Sequence, residues 1–186
     1  MTEQANGVYQ KAVIEMLTVA AEYCIMMEKL GTADTTRHQW LDQITKVLPL
    51  IYVKAALLPD LPESGMGEPQ EVVTEDDYEE VRQAIWRLLK SDDEYLEVFT
   101  PDMRYSEGAV TRTISEDLAD IYQDLKNFVA VFADRNEGAM ADAVVKVKEN
   151  FATYWGQRLV NAMRPLHELA YARTDDAADD DPETEE

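Results

Sequence analysis

The sequence predicts an all-α fold: a single-domain helical bundle of about five main helices, followed by a disordered acidic C-terminal tail. Its long segments repeat apolar residues at intervals of three or four, the period of a helix with one buried face. The clearest loop, residues 59–69, carries three prolines and two glycines. A length of 186 residues suffices to bury one core without metal ions or disulfides. We therefore assign residues 1–173 to the bundle and residues 174–186 to the tail.

The first two helices are marked by signals at their ends. Gly31 follows the first apolar stripe, as glycine often follows the last turn of a helix. Thr36 is a suitable N-cap for the second helix. Pro49 lies inside the second stripe, and because proline removes a backbone donor and crowds the preceding turn, we expect a kink near Lys46 rather than two helices. The two stripes contain Tyr9, Val13, Met16, Leu17, Ala20, Cys24, Met27 and Leu30, then Leu41, Ile44, Leu48, Ile51, Ala55 and Leu58.

The sequence gives clear signals for the third helix, but it gives no clear secondary-structure pattern for the segment after that helix. Thr74 and Asp77 resemble a capping box in which Asp replaces the usual Glu or Gln. Residues 91–105 are too apolar for a solvated loop, yet Pro101 prevents a long helix there. We expect one or two helical turns packed across the bundle. The stripe of the third helix consists of Tyr78, Val81, Ile85, Leu88 and Leu89.

Residues 114–132 form the helix around which we expect the others to pack, with a start between Ser106 and Ser115. Its apolar residues cover one broad face, which a lone helix cannot bury. Asn136 and Gly138 separate it from a last long helix, which Pro165 is expected to bend or end. The central stripe is Ile114, Leu118, Ile121, Tyr122, Leu125, Phe128, Val129 and Phe132, and the last is Met140, Val144, Val147, Phe151, Trp155, Leu159, Ala162 and Leu166.

The charge distribution excludes several classes of partner. The formal charge is -21, and residues 174–186 hold eight of the 38 acids and no base, which leaves 30 acids against 17 bases and a charge of -13 elsewhere. This balance disfavours binding to nucleic-acid backbone or anionic lipid, and it is compatible with a basic protein partner or with cations. The tail has too few apolar residues to offset its ordering entropy, so we expect it to be disordered.

Cysteine usage and hydropathy favour the cytoplasm. Cys24 is the single cysteine and lies on an apolar stripe, so we expect a buried, inert thiol. No charged-then-apolar signal segment opens the chain, and no apolar run approaches the ~20 residues that span a bilayer. We therefore expect a cytoplasmic protein with no membrane partner.

Three aspartates on the central helix are candidate metal ligands. Asp117, Asp120 and Asp124 are spaced by three and four, so they project to one side of the helix. Carboxylates gathered in this way can hold Mg²⁺ or Mn²⁺, and Glu116 with Asp120 loosely resembles the acidic helices of all-helical nucleotide pyrophosphohydrolases. Those enzymes need a second acidic motif on a facing helix. The candidates here are typical of a solvated first turn that complements the helix dipole; they are Glu75, Asp76, Glu79 and Glu80.

Arg158 falls on the buried face of the last helix, near Phe151 and Trp155. Because an unpaired charge away from water costs several kcal/mol, this arginine needs a carboxylate. We expect Asp117 or Asp124 to contact Arg158 in a structural ion pair that fixes helix register. The alternative is a polar pocket in which the guanidinium receives an anionic ligand.

The sequence contains none of the motifs that we associate with catalysis or cofactor binding. It has no Glu-x-x-His of carboxylate-bridged di-iron bundles, no Cys-x-x-Cys pair, no glycine-rich phosphate loop and no Gly-x-Ser-x-Gly elbow. His38 and His167 lie on different helices, where surface or boundary positions are the usual ones. We therefore predict no catalytic and no cofactor-binding residues.

Three segments resemble a family of small bacterial all-helical proteins, the domain-of-unknown-function family five thousand and sixty-three. They are LPLIYVKAALLP at 48–59, ISEDLADIYQDLKNF at 114–128 and ENFATYWGQRLVNAMRPLHEL at 149–169. The similarity covers about residues 8–169 and excludes the acidic tail. The resemblance implies a bacterial helical bundle, and the family has no established activity, cofactor or ligand residues to carry over.

The leading functional hypothesis is a non-enzymatic cytoplasmic module that acts through a basic protein partner. It follows from the missing catalytic motifs and the acidic surface. The alternative is a divalent-metal-dependent hydrolase of a nucleotide or phosphate ester that uses Asp117, Asp120 and Asp124 with Mg²⁺ or Mn²⁺. A second alternative is an acidic DNA mimic, whose carboxylates would need to follow phosphate-like spacing.

Overall fold

The computed structural model describes residues 7–30, 35–67, 69–97 and 110–172, and it confirms the predicted all-α bundle. The predicted disordered tail, 174–186, lies outside these residues. The helices are α1 Lys11–Lys29, α2 Arg37–Ala56, α3 Glu75–Leu89, α4 Ile114–Val131, α5 Glu137–Asn150 and α6 Gly156–Tyr171, and a short hairpin consists of β1 Glu94–Glu97 and β2 Val110–Thr113.

Helix α4 is the central element, as predicted. It packs against α1, α3, α5 and α6, while α2 closes the bundle through its contacts with α1 and α6. The apolar face of α4 is buried because those helices cover it from several sides. Its start at residue 114 lies within the predicted interval. The residues of α4 that are at most 5 % exposed and apolar are Ile114, Leu118, Ala119, Ile121, Tyr122, Leu125 and Phe128.

The predicted helix starts are confirmed by their hydrogen bonds. The Thr36 side chain accepts from the backbone N–H of Gln39, whose own side chain accepts from Thr36 in return. Thr74 and Asp77 form the same reciprocal capping box at α3, with Asp in the third position. Helix α2 runs as one helix through Pro49, in agreement with the expectation of a single element. The proline is exposed, so its ring lies on the solvent side of the helix.

The expectation of one or two helical turns within residues 91–105 holds for one turn that ends at Asp93, and it is wrong for Glu94–Glu97, which form a strand. A 3-10 turn, Lys90–Asp93, leads directly into β1, which pairs antiparallel with β2 so that Glu94 faces Thr113 and Glu97 faces Val110. Residues 98–105 lie outside the described part of the chain. The pairing joins segments far apart in sequence, and a strand of four residues is too short to leave a clear alternating pattern.

The last long helix contains a π turn that the sequence did not predict, and it does not end at Pro165. A π turn, Phe151–Trp155, separates α5 from α6, and α6 then passes through Pro165 to Tyr171. Gly156 closes the π turn by donating its N–H to the carbonyl of Phe151. A Cβ at position 156 would lie 2.3 Å from that carbonyl oxygen, so a glycine is required for this close approach.

The described helices are too short or too polar to cross a bilayer. Most of their buried apolar side chains form one core, whose largest members include Trp40 and Trp155, and Val8, Met140 and Ala141 form a second, smaller cluster. Cys24 is buried in this core, and burial raises the pKa of its thiol to about 12. This environment therefore favours the protonated thiol, which is the unreactive form that we expected.

Candidate functional site

Arg158 reaches two of the three aspartates of α4. Its Nη1 lies 3.1 Å from Oδ1 of Asp117, and its Nε lies 3.7 Å from Oδ2 of Asp120. The Asp117 side chain is fully buried, while the Arg158 and Asp120 side chains are 19 % and 15 % exposed. Asp124, the other candidate partner, does not take part: its Oδ1 accepts a hydrogen bond from Nδ2 of Asn150 at 2.5 Å.

Three tyrosines from three different elements donate to the same two aspartates. The Tyr95 hydroxyl, from β1, donates to Oδ2 of Asp117. The Tyr78 hydroxyl, from α3, donates to Oδ1 of Asp120 at 3.0 Å, and the Tyr154 hydroxyl, from the π turn, donates to Oδ2 of Asp120 at 2.7 Å. We call the resulting set the tyrosine–aspartate cluster; its members are Tyr78, Tyr95, Asp117, Asp120, Tyr154 and Arg158.

The hairpin carries a second arginine, whose charge acts on Asp117 of the cluster. Nε of Arg112 lies 2.8 Å from Oε2 of Glu97, and the amide of Asn161 donates to Oε1 of the same glutamate at 3.2 Å. Glu97 is on β1 and Asn161 is on α6. The hairpin is therefore attached to α6 directly, and to α4 through Tyr95.

Burial controls the ionisation of the aspartates. It raises the pKa of Asp117 to about 7, against the opposing effects of the Tyr95 hydrogen bond and the charge of Arg112. Burial also raises the pKa of Asp120, while the hydroxyls of Tyr154 and Tyr78 lower it. The pKa values of all three tyrosines are raised, mainly by burial, so their hydroxyls remain protonated donors. The cluster is therefore a mutually satisfied network that joins α3, β1, α4 and α6.

The three aspartates are not gathered as metal ligands. Within the described ranges, no group of three or more His, Cys, Asp or Glu side chains is placed to hold a metal ion. Asp117 and Asp120 share the cationic Arg158, which would repel a second cation, and Asp124 contacts Asn150. The set Asp117, Asp120 and Asp124 thus remains a sequence-based prediction that this geometry does not favour.

A cavity opens beside the cluster, between α4 and α5. Its volume is about 240 Å³, and its lining includes Tyr154, Asp124 and Asn150. A second cavity of about 460 Å³ lies along α5 and shares Pro69, Lys146 and Asn150 with the first. We call the two together the α4–α5 groove. Its rim carries the acids Glu63, Glu71, Asp124 and Glu149.

One wall of this groove is the segment between α2 and α3, and two helices hold it in place. The backbone N–H and the hydroxyl of Ser64 donate to the buried carboxylate of Asp142, at 2.6 and 2.5 Å. At the far end, Oδ1 of Asn127 accepts from the N–H groups of Val72 and Val73, at 2.8 and 3.1 Å. Asp142 is on α5 and Asn127 is on α4, so the groove is formed before any partner arrives.

Sequence reasoning identified Arg158 and its partner Asp117, but it did not identify Asp120 as the second partner, the tyrosine donors or the groove. The tyrosines lie up to 76 residues apart, and only the folded chain brings their hydroxyls to α4, so no local pattern could have shown them. His38 and His167 are exposed and do not belong to the cluster or the groove.

Comparison with known proteins places this architecture in a family. The crystal structure of protein BF1032 from Bacteroides fragilis is 40% identical in sequence, with a TM-score of 0.79 over 89% of this chain and 96% of that chain. No curated protein matches the chain. The family model described as "Domain of unknown function (DUF5063)" matches residues 7–172, which is most of the sequence. The chain therefore belongs to this family of all-helical domains of unknown function.

Proposed function

We propose that this protein is a non-enzymatic cytoplasmic module that binds a basic segment of a protein partner along the α4–α5 groove. The observation that carries the proposal is the composition of the groove. In the described part of the chain, its rim presents Glu63, Glu71, Asp124 and Glu149, and its only base is Lys146. Lys146 lies 3.7 Å from Glu71, so one described base faces these four rim acids, and the buried Asp142 adds a fifth acid to the lining.

The closure of the tyrosine–aspartate cluster supports a binding role over a catalytic one. The fully buried Asp117 contacts Tyr95 and Arg158, and both oxygens of Asp120 accept tyrosine hydroxyls. A substrate or a metal ion would have to displace these contacts to reach the carboxylates. We therefore assign the cluster the role of joining four elements, which leaves recognition to the groove.

The overall charge indicates the kind of partner. The formal charge of -21 repels nucleic-acid backbone and attracts basic proteins, and it accelerates their encounter at low salt. A preformed groove loses little conformational entropy on binding, which suits an extended basic segment. The cytoplasmic location belongs to this proposal, since it rests on the sequence features described above.

A pull-down with neutralised groove variants tests the proposal. The full chain is compared with Glu71→Gln/Glu149→Gln, and with the control Glu22→Gln/Glu168→Gln, whose exposed acids lie outside the groove. We expect a basic partner that the wild type and the control retain at low salt, that high salt releases, and that the groove variant loses. Equal retention by both double variants, or no salt-sensitive partner at all, contradicts the proposal.

A further inference from the structure

Asp124 is in an electrostatic situation different from that of its neighbours on α4. Asp117 and Asp120 each lie beside Arg158. Asp124 is also partly buried, and burial raises its pKa, yet in the described part of the chain it forms no ion pair within 4.0 Å. Lys146 lines the same cavity and lowers the pKa of Asp124, and its Nζ lies 3.7 Å from Glu71. Among the residues that the structure describes, no cation therefore contacts the carboxylate of Asp124, which lines the cavity.

The lining of the cavity is amphipathic. Its floor consists of Phe128, Ala143 and Val147, which belong to the core and are at most 3 % exposed. Its polar edge includes Asp124 and Asn150. An apolar floor beside a carboxylate fits a side chain that has an aliphatic stem and a cationic head.

We propose that this cavity receives an arginine side chain of the bound partner, with its stem against Phe128, Ala143 and Val147 and its guanidinium against Asp124. The inference rests on the proposed function and names the residue that anchors the basic segment. A guanidinium is more weakly hydrated than an ammonium group, so it loses less on entering a half-enclosed cavity. Its fork of donors can also reach several rim acceptors, such as the side-chain carbonyls of Gln123 and Asn150, together with the carboxylate.

The test uses three short peptides of defined chemistry with the full-length protein. Acetyl-Gly-Arg-Gly-amide is titrated into ¹⁵N-labelled protein, and the amide signals of Phe128, Val147 and Asn150 are followed by NMR. We expect saturable shifts at the cavity, several-fold weaker binding of the lysine peptide, and no saturable shift with the uncharged citrulline peptide. Shifts spread evenly over acidic surfaces, or citrulline binding as strong as arginine binding, would overturn the inference.

Two variants sharpen the result. Asp124→Asn keeps the shape of the side chain and removes its charge. Because one charge-assisted hydrogen bond is lost, we expect about tenfold weaker binding of the arginine peptide. Ala143→Val narrows the floor without changing a charge and is also expected to weaken binding. Glu168→Gln replaces an exposed acid of α6 and should leave binding of the arginine peptide unchanged. Melting curves establish that each variant is folded, and wild-type affinity in both cavity variants contradicts the inference.

The outcomes separate this inference from the proposed function. If the groove variant loses the partner in the pull-down but Asp124→Asn binds the arginine peptide as well as wild type does, only the arginine site is wrong. If the arginine peptide binds at the cavity but the groove variant retains the partner, the proposed function is wrong, whereas the arginine site is confirmed.

Discussion

At the scale of single residues, one buried carboxylate holds three parts of the molecule together. Asp117 is fully buried and contacts Tyr95 of β1 and Arg158 of α6. Its burial is costly, as the rise of its pKa to about 7 shows. Because the ion pair offsets part of this cost, loss of either partner should lower the free energy of unfolding more than loss of a surface pair does.

Replacement of Arg158 tests the ion pair. Arg158→Met keeps most of the aliphatic volume but leaves Asp117 without its cation, so we expect the free energy of unfolding to fall by about 2 kcal/mol at pH 8. Arg164→Met is the matched control, because Arg164 and Glu168 are exposed and their pair should contribute less than about 0.5 kcal/mol. Denaturant unfolding measures both. Unchanged stability of Arg158→Met would show that the pair has no structural role.

The pH dependence of stability tests the ionisation of Asp117. The native state retains the proton up to a pKa of about 7, whereas the unfolded chain releases it near 3.8, so the stabilisation by this group is complete below pH 3.8 and is lost as pH rises to 7. Asp117→Asn cannot ionise. We therefore expect wild-type stability to fall relative to the variant by up to about 1.4 kcal/mol per pH unit between pH 4 and 7. Parallel stability curves would rule out the raised pKa.

At the scale of elements, sequence patterns predicted the helices and caps that depend on residues close together in the chain. The stripes of α1 to α4 and the caps at Thr36 and Thr74 follow from neighbours within a few positions, and the structure confirms them except for Tyr9, which precedes α1 and is exposed. The hairpin depends on Tyr95 facing Arg112, seventeen residues away, so no local period signals it. Arg158 was a recognisable anomaly on an apolar face, but the tyrosines that complete its cluster looked like ordinary core residues.

The π turn is an element whose role can be tested at a single residue. Because a Cβ at position 156 would lie 2.3 Å from the Phe151 carbonyl oxygen and 2.8 Å from Cδ2 of the Phe151 ring, Gly156→Ala must shift backbone. We expect a loss of about 1 to 3 kcal/mol in unfolding free energy. The π turn also positions Tyr154, so the NMR signals of Asp120 should move as well.

The control for this substitution is Gln157→Ala, since Gln157 is the exposed next residue on α6 and its loss should cost less than about 0.5 kcal/mol. Wild-type stability in Gly156→Ala would mean that the turn relaxes to a regular helix at no cost. The distance between Asp120 and the Tyr154 hydroxyl would then not depend on the π turn.

At the scale of the whole molecule, the acids fall into two groups with different roles. The cluster neutralises its own charges and joins α3, the hairpin, α4 and α6. The groove leaves negative charge on a preformed surface. The charge excess and the all-α class could be predicted from composition and periodicity, whereas the groove could not, because it depends on Asp142 and Asn127 holding the segment between α2 and α3.

Titration with divalent metal tests this division. If the carboxylates of Asp117 and Asp120 are committed to the tyrosines and Arg158, Mg²⁺ or Mn²⁺ at millimolar concentration should give no saturable heat in calorimetry. Saturable binding that disappears in Asp120→Asn would restore the metal-dependent hydrolase as the leading function. The same titration of Glu168→Gln controls for weak binding to the acidic surface.

Site-specific photo-crosslinking in cells measures the binding face most directly. A photoreactive phenylalanine is placed at position 71 or 149 in the groove, or at position 22 or 168 elsewhere on the exposed surface. We expect the two groove positions to capture the same basic protein and the other two positions not to capture it. Capture at all four positions alike, or capture only at positions 22 and 168, would contradict this expectation.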